Sequence, residues 1–376
     1  MTQNAPLFAP LDIGDIPVAN RIVMAPLTRS RATHDGEVPT DLNATYYAQR
    51  ASAGLIVSEA SQISREGQGY AWTPGIYTDD QIAGWTKVTR AVHDKGGRIV
   101  CQLWHVGAIS HNVFHDGAAP VSASAWTPKG EAFVGDLHPD GPTVPHPEAR
   151  ALRLDEIPRL IEDYRHAARS AIKAGFDGVE VHGANGYLLD QFMRSSVNTR
   201  DDQYGGSVEN RIRLLTEVVD AVAAEIGAGR TGVRLSPVGG PGGSKDADPE
   251  TLYVTAARAL SGKGLAYLHV IRPNDHTGDG TNKEGVGQIM SKMQKAFGGV
   301  FIANGEFTDR EAAEWVEQGR ADAIAFGRSF IANPDLPARI AQGGPYQEPD
   351  PSTFYGGGAK GYTDYPTLEE ARETAS

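Results

Sequence analysis

The feature that most constrains this chain is a cycle of eight short apolar, often β-branched runs at 22–27, 55–60, 98–105, 178–183, 232–237, 266–271, 299–305 and 323–328. Most are nearly continuous in apolar character, the pattern of parallel strands covered on both faces rather than of a sheet with one wet face. Between them, the segments 80–95, 155–174, 208–226, 249–260, 309–318 and 334–341 place apolar residues at helical spacing. Strand and helix alternate throughout, which predicts a single (β/α)8 TIM barrel spanning 1–376. An open doubly wound sheet would use fewer strands and begin with a glycine-rich dinucleotide turn, and no GxGxxG follows the first run. The glycine-rich stretch 239–245 lacks P-loop order, because Ser244 precedes Lys245 and Asp246 follows it. It reads as a flexible loop.

Additions decorate the barrel. Residues 7–21, turning at Gly14 and Asp15, read as a hairpin capping the barrel bottom. The segment 106–150, rich in Pro, Gly and His, is too long for a simple connection and reads as a lid. The tail 344–376 is expected over the barrel mouth. The loop 272–281 after the sixth run stands where such folds shape specificity.

A net charge of -12 repels phosphate backbones and anionic lipid, so a small-molecule partner fits better than nucleic acid or a membrane surface. No apolar run approaches membrane-spanning length, and the amino terminus lacks the pattern of an export signal. The single cysteine, Cys101, rules out an intrachain disulfide and a CxxC zinc site. A cytoplasmic monomer or homodimer is the expectation.

Active sites of this fold lie at the carboxyl ends of the strands. Polar and small residues collect there: Pro26, Leu27 and Thr28; Glu59 and Ala60; Gln102, Trp104 and His105; His182, Asn185 and Tyr187; Arg234; Asn304 and Gly305; Gly327 and Arg328. Glycines at the last two strand ends let backbone N–H groups approach an anion, and Arg328 adds a forked charge, which together favour a phosphate-bearing ligand. The H-x-x-N-x-Y spacing of His182, Asn185 and Tyr187 offers two donors for a carbonyl or nitro oxygen and a phenol to deliver a proton. Arg234, on a segment expected to be buried, needs an anion, either a ligand or a carboxylate such as Glu59.

Several long motifs are similar to those of the old yellow enzyme family of FMN-dependent NAD(P)H oxidoreductases. They are NRIVMAPLTR at 20–29, QLWH at 102–105, HGANGYLLDQF at 182–192, NTRDDQYGGSVENR at 198–211, FGR at 326–328 and GYTDYP at 361–366. The resemblance implies tightly but non-covalently bound FMN and hydride supply from NADPH or NADH by ping-pong exchange. It implies reduction of an activated alkene such as an enone, enal, maleimide or nitroalkene. Pro26, Leu27, Thr28, Ala60, Gln102 and His182 would then hold the flavin ring, and Arg234 would face its N1 and O2. Asn304, Gly305, Gly327 and Arg328 would take the phosphate. His182 and Asn185 would bind the substrate oxygen, Tyr187 would protonate the α-carbon, and Tyr70, Trp104 and Tyr355 would form pocket walls. Many bacterial members carry histidine where Asn185 stands, and some carry arginine where Ala108 stands. The 198–211 stretch is read as a brace, with Ser207 capping the next helix and Glu209 in its first turn. Two alternatives stand beside this reading: a metal-dependent hydrolase or lyase built on His182, His105 and Glu59, and a non-catalytic flavin-binding protein. His111 and His115, four apart, read as solvated loop residues.

Overall fold

Residues 4–272 and 283–374 are described by the structure, a computed structural model. The loop 272–281 therefore lies outside the described residues apart from Arg272. The barrel strands are β1 (Ile22–Met24), β2 (Leu55–Val57), β3 (Ile99–Trp104), β4 (Gly178–Gly183), β5 (Thr231–Leu235), β6 (Tyr267–Ile271), β7 (Phe301–Asn304) and β8 (Ala323–Phe326). Each pairs in parallel with the next, and β8 pairs with β1, so the ladder closes into a (β/α)8 barrel. The first run pairs only as far as Met24, since Pro26 has no N–H to give to a ladder.

Around the barrel lie α1 (Asp41–Gln49), α2 (Asp79–His93), α3 (Ile157–Lys173), α4 (Arg213–Ile226), α5 (Pro249–Leu260), α6 (Lys283–Phe297), α7 (Asp309–Glu317) and α8 (Leu336–Gln342). Two of these were not among the expected helices. In α1 the buried face is Asn43, Tyr46 and Tyr47, so polar and aromatic residues take the place of an aliphatic stripe. In α6 Gly287 interrupts a pattern whose Val286, Ile289, Met290, Met293 and Phe297 are all buried. The expected helix at 208–226 is two, Val208–Arg211 and α4, meeting at Ile212. Ser207 Oγ accepts from Asn210 N and caps the first of them.

Alternate strand residues enter the barrel, and the lower interior is filled by Val23, Leu55, Val57, Val100 and Ile302. The antiparallel strands Leu11–Ile13 and Ile16–Val18 drive Ile13, Ile16 and Val18 into the same cluster from below. Their turn needs glycine: Gly14 has φ 60°, and a Cβ there would collide with the Gly229 carbonyl oxygen. A second, larger apolar layer joins the outer strand faces to the helices. Among the described residues no helix is long and apolar enough to cross a membrane.

Since Ile13 is fully buried, Ile13→Ala should lower unfolding free energy by about 2–5 kcal/mol, the usual cost of a cavity in a packed core. Urea titration should show this as an earlier midpoint with unchanged slope.

Candidate active site

The carboxyl ends of the strands open onto two joined cavities. The larger, about 570 Å³, is lined by Pro26, Leu27, Thr28, Tyr70, Trp104, Tyr187, Arg328 and Tyr355 together with Arg29, Ser30, Phe133, Ile331 and Phe354. The smaller, about 380 Å³, is lined by Pro26, Leu27, Arg234, Asn304, Gly305, Gly327 and Arg328, with Glu306, Phe307 and Ser329 among the others. Pro26, Leu27 and Arg328 belong to both, so one continuous space runs from an aromatic chamber to a glycine-bordered one.

The loop after β4 owes its shape to two successive left-handed residues, Asn185 at φ 57° and Gly186 at φ 71°. Glycine is required at the second, because a Cβ there would sit 2.8 Å from Ser244 Oγ. Asp190 Oδ2 accepts from Gly186 N at 2.7 Å, and Ser236 Oγ accepts from Asn185 N at 2.7 Å. Asp190 is buried against Arg194 at 2.7 Å and also accepts from the Tyr253 hydroxyl at 2.6 Å. Arg194 in turn donates to the Ser236, Val238 and Ser244 carbonyls. These bonds tie the β4 loop to the β5 loop and hold down the glycine-rich stretch at 239–245.

Tyr187 consequently stands just before the helix Leu188–Met193 with its ring edge-on to both Trp104 (5.0 Å) and His182 (5.3 Å). Its hydroxyl lies 3.1 Å from that of Tyr70, which stacks on Trp104 at 5.5 Å. Ala60 packs into the same group. Burial, then the neighbouring Tyr70, raise the Tyr187 pKa well above its usual 10, so the phenol keeps its proton at neutral pH.

Below these rings the barrel interior turns polar. Glu180 is fully buried, accepting from Gln102 Nε2 at 2.7 Å and pairing with His269 Nδ1 at 2.8 Å. Burial pushes its carboxyl up, but His269, Arg234 and the Gln102 bond outweigh this and bring it to about 2. Arg234, opposite His182 in register, donates from Nη2 to Asn304 Oδ1 at 2.8 Å. Among the described residues no carboxylate lies within ion-pair distance of Arg234. Glu59, the partner weighed for it, instead accepts from Arg29 N and the Tyr47 hydroxyl, where burial pushes its carboxyl up to about 7. Burial, then the Arg234 guanidinium, lower the His182 pKa to about 3, so its ring is neutral.

Not every residue singled out in the sequence lines the cavities. Gln102 serves Glu180, Ala60 packs with Trp104, and His182 packs against the Tyr187 ring. Asn185 borders the same loop, with its side-chain amide in no hydrogen bond among the described residues. The Asn304 amide is committed to Arg234 and to the Ala325 carbonyl at 2.8 Å. Arg328, about half exposed, pairs with Glu306 at 3.1 Å. Tyr355 is the exposed lip of the larger cavity. Sequence reasoning missed Phe133, Ile331 and Phe354, apolar residues of the insertion, the segment after β8 and the tail, where no periodicity marks a site. The metal constellation does not assemble: His105 lies 3.5 Å from Glu66, and Glu59 belongs to the tyrosine network. His111 and His115 flank a single 3-10 turn, with His115 Nε2 2.8 Å from Ser110 Oγ.

Among the described residues, the buried Arg234 Nε, His182 Nδ1 and Trp104 Nε1 near the cavities have no hydrogen-bond partner. Such atoms are costly unless a ligand or solvent satisfies them. With an aromatic chamber, a buried guanidinium in no ion pair among the described residues and a glycine-bordered chamber beside Arg328, the donor set fits a planar, polar ring carrying a phosphate.

Fold and site together define a TIM-barrel protein with a cofactor-sized cleft at its strand ends. A family model described as the NADH:flavin oxidoreductase / NADH oxidase family matches residues 6–347. The chain belongs to that family, the old yellow enzyme family, and is an FMN-dependent NADH:flavin oxidoreductase of that type. It is 44% identical over 375 residues to a putative 12-oxophytodienoate reductase 4 of Oryza sativa subsp. japonica, covering 99% of this chain and 95% of the relative. It is 46% identical over 383 residues to the flavin oxidoreductase hxnT of Emericella nidulans, covering 96% and 97%. Morphinone reductase in complex with tetrahydroNAD superposes with a TM-score of 0.91 at 50% identity, covering 97% of this chain and 98% of the other. The old yellow enzyme homologue from Zymomonas mobilis does so with a TM-score of 0.90 at 48% identity, covering 96% and 99%.

The His182 ring should show no titration between pH 5 and 8 by NMR, with protonation only near about 3. Because the folded state resists a proton that the unfolded state takes up below 6.5, this residue's contribution to stability should be intact above 6.5 and fall as the solution is acidified. An inflection near 6.5 in the folded protein would contradict the neutral assignment.

Proposed function

We propose that the protein is an ene-reductase, taking hydride from NADPH or NADH and passing it to an enone, enal, maleimide or nitroalkene. The observation that carries this reading is the Tyr187, His182 and Tyr70 group: a protonated phenol held at 3.1 Å by a second hydroxyl, beside a neutral imidazole with a free ring nitrogen. Bound FMN would supply the redox centre that accepts the hydride and returns it.

The chain's own residues do the rest. Pro26, Leu27, Thr28, Ala60 and Gln102 would hold and back the ring, with Thr28 donating a hydrogen bond. Arg234 would meet its electron-rich edge, where the guanidinium favours negative charge and gains the anion its burial demands. Gly305, Gly327 and Arg328 would take the phosphate, with Arg328 exchanging Glu306 for it, while Asn304 lines the chamber and fixes Arg234. His182 and Asn185 would donate to the substrate oxygen, polarising the double bond. Tyr187 would give its proton to the α-carbon, with Tyr70 orienting the hydroxyl. Trp104, Tyr70 and Tyr355 would wall the substrate chamber, under a lid made by 106–150 and a tail from 344 onward. Nicotinamide and alkene would share that chamber in turn, which makes the kinetics ping-pong. A reducing, cytoplasmic setting is part of this proposal, in keeping with a buried Cys101 whose thiol burial pushes up to about 12.

Purified protein should be yellow, bleach anaerobically with NADPH, and recover colour on addition of a cyclic enone. A bleached sample that no activated alkene reoxidises would overturn the reading. Tyr187→Phe should slow alkene reduction by about 10²–10⁴-fold, the range for a positioned acid, while flavin reduction by NADPH stays near wild type. Stopped-flow measurement of the two half-reactions separates these effects, and equal losses in both would remove Tyr187 from the proton-transfer role.

A further inference from the structure

Trp72 has φ 61°, a left-handed conformation that a bulky L-residue adopts at a cost of about 1–2 kcal/mol. It belongs to none of the apolar core clusters, so burial in the core is not what holds it there. Its carbonyl accepts from Ala32 N at 3.0 Å, and the preceding Ala71 N donates to the Phe133 carbonyl at 3.1 Å. The indole stacks on His34 at 4.7 Å and meets Phe133 edge-on at 5.5 Å. Two glycines make room for it: a Cβ on Gly135 would lie 2.8 Å from Cζ2, and one on Gly356 would lie 3.0 Å from Cζ3. One side chain therefore touches the loop after β1, the 106–150 insertion and the carboxyl-terminal tail.

Its position between two spaces gives those contacts a use. On the outer side the indole lines a cavity of about 380 Å³ with His34, Phe114 and Leu137. On the inner side it does not line the 570 Å³ chamber, but Phe133, which it touches, and Tyr355, which adjoins Gly356, both do. We infer that Trp72 is a specificity-determining residue: by bracing Phe133, and the tail at Gly356 next to Tyr355, it closes the substrate chamber off from the outer cavity and limits the size of alkene accepted. This rests on the ene-reductase reading. Without the indole, Phe133 loses its support and the two spaces become continuous, so a substituent remote from the double bond gains room.

The test compares kcat/KM for 2-cyclohexenone and for a cyclohexenone carrying a phenyl group remote from the alkene. FMN content, NADPH-driven flavin reduction and Tm are measured beside it in the holoenzyme. In Trp72→Ala the ratio of bulky to compact substrate should rise at least about tenfold, the scale on which pocket volume discriminates. Cofactor content and flavin reduction should stay near wild type. Trp72→Gly removes the backbone strain as well as the ring and should give the same shift, while Trp72→Phe should restore the wild-type ratio. An unchanged ratio in folded, active variants, or a parallel fall for both substrates with Tm, overturns the inference alone. Failure of both small variants to fold while Trp72→Phe folds assigns the residue to stability and also overturns it. If the wild-type protein reduces neither enone, the ene-reductase reading fails and takes this inference with it.

Discussion

Closing eight parallel strands into one hydrogen-bonded ring leaves the sheet without a free edge and forces all eight carboxyl ends to one side. The ring is too tight to hold a ligand within it. Its lower interior is filled by aliphatic side chains and by the isoleucines of the amino-terminal hairpin, and its middle by Gln102, Glu180 and His269. Any cofactor must therefore lie across the mouth, and every residue that meets it must come from a strand end or from the loop beyond. The rest of the molecule solves the problem this creates, which is to make irregular loops as definite in position as the ladder beneath them.

Buried arginines provide much of that definition. An irregular loop leaves carbonyl groups without ladder partners, and each must be satisfied if it is buried. Arg194 gathers carbonyls from the β5 loop while pairing with Asp190, which holds the turn before Tyr187. Arg29 and Arg31 do the same for the tail, donating to the carbonyls of Thr353 and Phe354. Arg50 binds the carbonyls of Phe330 and Ile331 beyond β8 and lies over the Tyr46 ring at 3.7 Å. Tyr46 stacks in turn on Tyr362 of the tail at 4.0 Å. A guanidinium suits this task because its fork offers several donors in one plane and does not lose its charge on burial.

Arg234 departs from that pattern, and the departure marks the site. Among the described residues it has one side-chain acceptor, Asn304, and an unpartnered Nε, while the more distant Glu180, then Tyr267 and Tyr187, offset its charge. The charge is not spent in an ion pair with a carboxylate, so it remains available to a ligand, and after burial it is the next cause keeping His182 neutral across the register. A buried cation, a neutral imidazole and a protonated phenol thus form an ordered series from the barrel interior to the chamber wall. Burial and then a neighbouring group keep the imidazole and the phenol neutral, whereas the guanidinium holds its charge against burial.

Sequence by itself determined the barrel, because strand and helix periodicity are local properties that each segment carries in its own residues. It also marked the residues at the strand ends, since fold and strand order fix which end of each run faces the mouth. It did not reveal α1, whose buried face is aromatic and polar, nor the break at Ile212. Only the tertiary structure showed that Glu59 belongs to a tyrosine network rather than to Arg234, and that Asn304 is spent on holding Arg234. The same holds for the chamber wall, where Phe133 and Phe354 come together from the 106–150 insertion and the tail, far apart in the chain, with Trp72 packed against Phe133. Contacts of that kind depend on how separate loops dock. Docking is decided by shape, by glycines that leave space and by buried arginines that collect carbonyls, none of which has a period along the chain.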